Sequence, residues 1–131
     1  MRVLLDTTFL IDSERSGDAL DEWIDDDDEA AMAAITVAEL RVGVLLGKGK
    51  ARAARLAFFE DAMEVIPVVE YGRAVAEAHA ELLVGVRREG RPRGAHDLMI
   101  AATAKATGRL VVTADQAAFV DLPGVQVRTH R

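Results

Sequence analysis

The stretch Arg2-Val3-Leu4-Leu5-Asp6-Thr7-Thr8 (RVLLDTT, residues 2–8) decides how this chain is read. Three consecutive apolar residues without polar alternation mark a strand covered on both faces, as in a parallel sheet, and we place it at 2–5. Asp6 ends it. A carboxylate at the end of a buried strand makes sense where that end opens onto a ligand-binding edge. RLVVT (109–113) repeats the pattern, with an apolar run closing on Thr113 and Asp115 two residues further on.

Between and beyond these strands, helical and extended segments alternate. Working along the chain, we expect a helix from Asp12 to about Asp25, with Leu20, Trp23 and Ile24 on one side. AAMAAI (30–35) reads as a tightly packed strand, and TVAELRVGVLLGKGK as a helix that ends at the Gly-Lys-Gly breaker. ARAARLAFFEDAM is a second helix. EVIPVV is extended, with Pro67 limiting it to an edge or a strand end. Residues 72–89 form a long Ala-rich amphipathic helix, GRPRG a loop, and HDLMIAATAKATG a helix closed by Gly108. ADQAAF makes a short helix and GVQVR a last strand. Alternation of this kind predicts an α/β fold of three layers, α/β/α, around a mostly parallel sheet.

The chain has 131 residues, the size of one domain, and we take 1–131 as a single unit. A domain of this length hides roughly two-thirds of its unfolded surface, so it folds without staples. It has no cysteine, which excludes disulfides, thiolate zinc sites and cysteine catalysis. Asp6 interrupts the one apolar N-terminal run, so no secretory signal is expected, and no stretch approaches the ~18 apolar residues of a membrane span. A soluble cytoplasmic protein is the expectation. The formal net charge of −6 argues at first against a nucleic-acid partner. Much of it sits in one run, Asp25 to Glu29, which reads as a solvated loop or helix end. With that run and the four carboxylates below set aside, the remainder is net positive. Basic residues cluster at Lys48, Lys50, Arg52 and Arg55, and again at Arg87, Arg88, Arg91 and Arg93. A polyanionic substrate therefore stays compatible with the composition.

Asp6 follows the first strand, and Glu39 lies in the first turn of the helix after AAMAAI. Asp97 opens the helix HDLMIAATAKATG, and Asp115 follows LVVT. Each falls beyond the carboxyl end of a strand or at a helix start, the edge where open α/β sheets hold ligands. Each also has a local explanation. Thr36 to Glu39 matches a capping box, Asp97 and Asp115 suit helix N-caps, and Asp6 suits a turn at Thr7-Thr8. Capping alone gives four acids no reason to share one edge. No lysine or arginine adjoins Asp6, Glu39 or Asp115, so convergence calls for a cation. All-oxygen ligands suit Mg²⁺ or Mn²⁺, with Thr113 or Thr7 supplying a hydroxyl to orient a bound water. The matching chemistry is metal-dependent phosphodiester hydrolysis.

At this point the chain resembles the PIN-domain ribonucleases, specifically VapC-type toxins of toxin–antitoxin pairs. VLLDTTFLID, ITVAELRVGV, HDLMIAATAKATGRLVVTAD and TADQAAF carry the resemblance, in that order and spacing, over nearly the whole length. The resemblance implies an acidic Mg²⁺ site of Asp6, Glu39, Asp97 and Asp115, with Thr113 as a polar contact. It implies a homodimer formed through the helices and a small VapB-like antitoxin. That antitoxin would lay a helix or tail into an apolar groove and direct a basic side chain at the acids. It further implies endoribonuclease action on structured RNA such as tRNA or rRNA. The chain departs from the family pattern at Ala114, where arginine is frequent, and at Ala118, where an acid is common. It also departs at Arg91, Arg93 and His96, which replace a more apolar lead-in.

His79 reads as partly buried structure, His96 as an exposed helix-start residue, and His130 as part of the tail. Trp23, Phe58, Phe59 and Phe119 read as core or partner contacts rather than base-stacking platforms. A signalling receiver domain would need paired acids after the first strand and a lysine after a late one, and this chain has neither. A haloacid-dehalogenase-type phosphatase needs a second aspartate where Thr8 stands. The alternative that keeps the fold is a catalytically silent RNA- or protein-binding module.

Overall fold

A computed structural model of the chain describes residues 1–17 and 24–129. Five strands form one parallel sheet in the order β3-β2-β1-β4-β5. They are β1 (Arg2–Leu5), β2 (Glu29–Ala33), β3 (Val68–Val69), β4 (Leu110–Thr113) and β5 (Val127–Thr129). The helices are α1 (Thr7–Ser16), α2 (Ala34–Leu46), α3 (Gly49–Val65), α4 (Arg73–Glu89) and α5 (Ala95–Thr107). The three-layer α/β/α architecture expected from VLL and LVV is the one observed.

Alternation along the strands sorts the core into two slabs. Val3, Leu5, Met32 and Val112 face one side, where they pack with Phe9, Leu10, Leu40, Ala62 and Ile66 of the α1–α3 layer. Leu4, Ala31, Ala33 and Val111 face the other, against α4, α5, the buried ring of Phe119 and Leu122. Both faces are covered, which is why these strands carry no polar alternation. Gly108 ends α5 with φ 63°, a left-handed conformation that favours glycine.

Several expected boundaries move, each for a local reason. α1 begins at Thr7, not Asp12, because Asp6 is extended and its side chain accepts from the Phe9 N–H, capping a helix directly after the strand. The remainder of the expected 12–25 helix, including Leu20 and Trp23, lies largely outside the described residues; Ile24 packs against the α1–α3 slab. The second strand stops at Ala33, since Ala34 already belongs to α2. α3 is longer than read at both ends. The short helix near residue 116 is one 3-10 turn, Gln116–Ala118, and β5 starts three residues later than expected. Nor is the acidic run wholly solvated. Asp28 meets the Arg128 guanidinium at 3.3 Å and the N-terminal amine at 3.6 Å. Burial opposes it, but the Asp25 N–H and Arg128 hold the Asp28 carboxyl below its ordinary value. Among the described residues, no helix is long and apolar enough to cross a membrane.

Leu4 is fully buried at the middle of the central strand. Leu4→Ala is expected to lower the unfolding free energy by about 2–5 kcal/mol. Urea denaturation would read this as a lower midpoint with an unchanged slope.

Candidate metal centre

Strand order reverses at β1. Chain connections run from it through β2 to β3 on one side and to β4 and β5 on the other. The crevice between β1 and β4 is thus the switch point at which open α/β sheets bind ligands. Leu5 pairs with Val112, which sets Asp6 beside Thr113 at the carboxyl ends, and the Asp6 N–H donates to the Val112 carbonyl at 3.0 Å.

Asp6 is 1% exposed and its carboxylate is fully engaged. Oδ1 accepts from the Phe9 N–H at 2.8 Å and from the Thr8 hydroxyl at 2.9 Å. Oδ2 accepts from the Thr113 hydroxyl at 2.5 Å, with Thr8 at 3.0 Å. The Thr113 oxygen in turn accepts from the Asp115 N–H at 2.8 Å, and the Thr8 oxygen from the Ala114 N–H at 3.1 Å. Burial pushes the Asp6 carboxyl above its ordinary 3.8, against the hydrogen bonds of Thr113, Phe9 and Thr8, and the Asp97 charge adds to the rise.

Glu39 stands in the second turn of α2, not the first, because the helix opens at Ala34. The capping-box reading fails with it. Ala33 is the N-cap, and Thr36, fully buried within the helix, lies 3.2 Å from the Thr7 hydroxyl. Thr7 donates to Glu39 Oε1 at 2.6 Å, while Glu39 Oε2 lies 3.3 Å from His96 Nδ1. Asp97 is not an N-cap either: Gly94 holds that position and Asp97 completes the first turn of α5. Burial, then the charges of Asp115 and Glu39, raise the Asp97 carboxyl above 3.8, partly offset by His96. Asp115 is exposed and precedes the 3-10 turn without a capping bond from its side chain.

The structure therefore brings the acids within electrostatic reach at one sheet edge, with Asp97 sensing the other three. They do not form a ready-made cage: among the described residues, no three His, Asp or Glu side chains stand as a coordination shell. The oxygens of Asp6 and Glu39 point instead at hydroxyls and an imidazole. Thr8 is a site residue that the sequence reading passed over, whereas His96 is the exposed helix-start residue expected and in addition meets Glu39. The signal for Thr8 was the Asp-Thr-Thr ending of β1, which puts two hydroxyls on the helix start that Asp6 caps. The signal for His96 was its place beside Asp97. His79 is half-buried on α4 and bonds the Tyr71 hydroxyl at 2.7 Å, away from these acids.

Comparison with known proteins agrees with this fold. The sequence pattern of the PIN domain matches residues 3–124. Ribonuclease VapC5 of Mycobacterium tuberculosis is 39% identical over 115 residues, covering 86% of this chain and 82% of that protein. Ribonuclease VapC of Rickettsia bellii is 27% identical over 130 residues, covering 98% and 96%. Among solved structures, VapBC-5 of M. tuberculosis, described as a member of the VapBC family of toxin–antitoxin systems, superposes with a TM-score of 0.81 at 31% identity over 98% of both chains. DNA-bound VapBC from Salmonella typhimurium gives 0.88 at 25% identity over 100% of this chain and 99% of that one. A match over nearly all of its length, with the acids at the switch point of the same fold, makes this chain a member of the PIN-domain family, in its VapC group.

Proposed function

We propose that this protein is a Mg²⁺-dependent endoribonuclease toxin, with Mn²⁺ as a substitute ion, acting on structured RNA such as tRNA or rRNA and restrained by a small VapB-like antitoxin. The observation that carries the reading is Asp6, a nearly fully buried carboxylate at the switch point, raised by burial and by the charge of Asp97. The donor set fits a hard cation. It is all oxygen, it is mutually repulsive, and Mg²⁺ needs only one or two carboxylates because it keeps several waters. Dependence on a divalent metal is general among PIN-domain nucleases.

Asp6, Asp97, Asp115 and Glu39 would hold the ion. When bound, it would supply activation of a water for attack on a phosphodiester and charge stabilisation of the leaving oxygen. The chain's own part is orientation. Thr8 and Thr113 fix the plane of the Asp6 carboxylate, and Thr7 with His96 fixes that of Glu39. The first turns of α1 and α5 begin at this edge, and their amide dipoles favour anions there, both the carboxylates and an incoming phosphate. The exposed Lys48, Lys50 and Arg52, with Arg87 and Arg88 of the second cluster, would meet the RNA backbone.

A groove of about 220 Å³ is lined by the apolar side chains of Leu40, Leu46, Phe58 and Phe59 and by the charged ones of Glu39 and Arg55, among others. Leu46 is 77% exposed and Leu45 54%. This groove is the seat we assign to the antitoxin, since it joins exposed apolar side chains to Glu39 of the acidic site. A homodimer through the helices completes the reading.

On total cellular RNA, Asp6→Asn is expected to lose more than about a hundredfold in cleavage rate, beyond the ~10–100-fold typical of residues that merely support a ligand. EDTA should abolish cleavage by the wild type. Cleavage that survives EDTA, or that proceeds equally in the mutant, overturns the mechanism; no cleavage under any condition favours a silent binding module.

Burial of Asp97, together with the charges of Asp115 and Glu39, also bears on stability. Between 3.8 and its raised folded-state value, Asp97 binds more protons in the folded protein than in the unfolded chain, so stability falls as pH rises through that window. Asp97→Asn without divalent ions should therefore melt higher than wild type at pH 7. The advantage should shrink as pH falls through the same window. Mn²⁺ should raise the melting temperature of wild type more than that of Asp97→Asn, as differential scanning fluorimetry would show.

A further inference from the structure

Arg93 belongs to the run Arg87, Arg88, Arg91, Arg93, which by sequence alone is one basic surface. In the fold it parts from the others. Arg87, Arg88 and Arg91 are exposed, whereas Arg93 is half-buried with its guanidinium committed to main chain. Nη1 donates to the carbonyls of Ala118 at 3.0 Å and Ala117 at 3.4 Å, and Nη2 to that of Val120 at 2.7 Å. These carbonyls end the 3-10 turn that Asp115 begins. The end of such a turn leaves carbonyls without internal partners and with partial negative charge, which a planar, permanently charged fork can satisfy together. The ring of Phe119, fully buried, pins the same turn to the core. Arg93 itself lies four residues before Asp97, at the entrance to α5. The next residue also serves Asp97: a Cβ added at Gly94 would come within 2.9 Å of Asp97 Oδ2.

We propose that Arg93 is a positioning residue, a strut that holds the turn carrying Asp115 against the start of the helix carrying Asp97. Those two carboxylates repel each other, and an untethered turn that starts at an exposed acid would relax by moving Asp115 away. The strut sets their separation in advance. Its effect on ion binding rests on the acidic-site reading above; its effect on the turn does not.

The test uses the full chain with Arg93→Met and Arg93→Lys, each combined with Asp115→Asn. Amide hydrogen exchange at Ala118, Phe119 and Val120 should accelerate about tenfold in Arg93→Met, as expected from losing hydrogen bonds to a charged donor, and less in Arg93→Lys. Calorimetric titration with Mn²⁺ should show binding several-fold weaker in Arg93→Met, with no further loss when the same change is made in Asp115→Asn, because both act through one carboxylate. Unchanged exchange in Arg93→Met, or an equal Mn²⁺ loss in both backgrounds, overturns the proposal. Wild type that binds no Mn²⁺ overturns the metal reading alone, and the exchange rates then decide the strut. If Arg93→Met fails to fold, Arg93→Lys carries both measurements.

Discussion

The parallel pairing of β1 with β4 governs everything else in this molecule. With Leu5 opposite Val112, the next residue of each strand emerges at the switch point, and these are Asp6 and Thr113. A slip of one residue would turn Val3 and Leu5 out of one core slab and Leu4 out of the other. It would also carry Asp6 away from Thr113. The two slabs thus lock the register, and the register builds the site. Asp6 then serves two structural ends at once, capping α1 through the Phe9 N–H and receiving the hydroxyls of Thr113 and Thr8.

Such a carboxylate is costly to bury. Desolvation is the largest influence on both Asp6 and Asp97, and for Asp6 the surrounding hydrogen bonds offset it only in part. A fold selected for stability alone would do better with an uncharged cap such as Asn or Ser at this position. The charge of Asp97 adds to the cost at Asp6, and those of Asp115 and Glu39 add to the cost at Asp97, so this edge lowers the stability of the fold. The hydroxyls of Thr7, Thr8 and Thr113 hold the carboxylates in fixed orientations without neutralising them, which lysines in the same places would do.

The layering was legible because VLL and LVV are apolar on both faces, and only a doubly covered strand is built that way. Gly108 was legible because a left-handed helix end has few other solutions. The acids were legible by position, two after apolar strands and two near helix starts. Helix starts themselves were not. TTFLID has weak helical periodicity, and α1 exists because Asp6 is extended and caps it, a fact of backbone conformation rather than composition. Thr36-x-x-Glu39 fits a capping box in spelling. α2 begins two residues earlier, at Ala34, and this frees Thr36 and Glu39 to meet Thr7 from another segment. His96 looked like an ordinary exposed residue, since its partner Glu39 lies 57 positions away in the chain.

Arg93 shows the same limit from the side of charge. A row of arginines in a sequence states how much positive charge a segment carries, not where it is spent. Net charge and clustering made residues 87–93 a candidate surface for phosphate, and for Arg87, Arg88 and Arg91 their exposure keeps that role open. The fourth arginine meets carbonyls, because the turn after Asp115 ends beside the entrance to α5 and leaves three oxygens facing it. A more apolar side chain at this point, as in the pattern the chain departs from, would have no means of engaging those carbonyls. The departure at Arg93 is a change in how the site is held. The charge of Arg93 has been moved from the substrate's side of the ledger to the scaffold's.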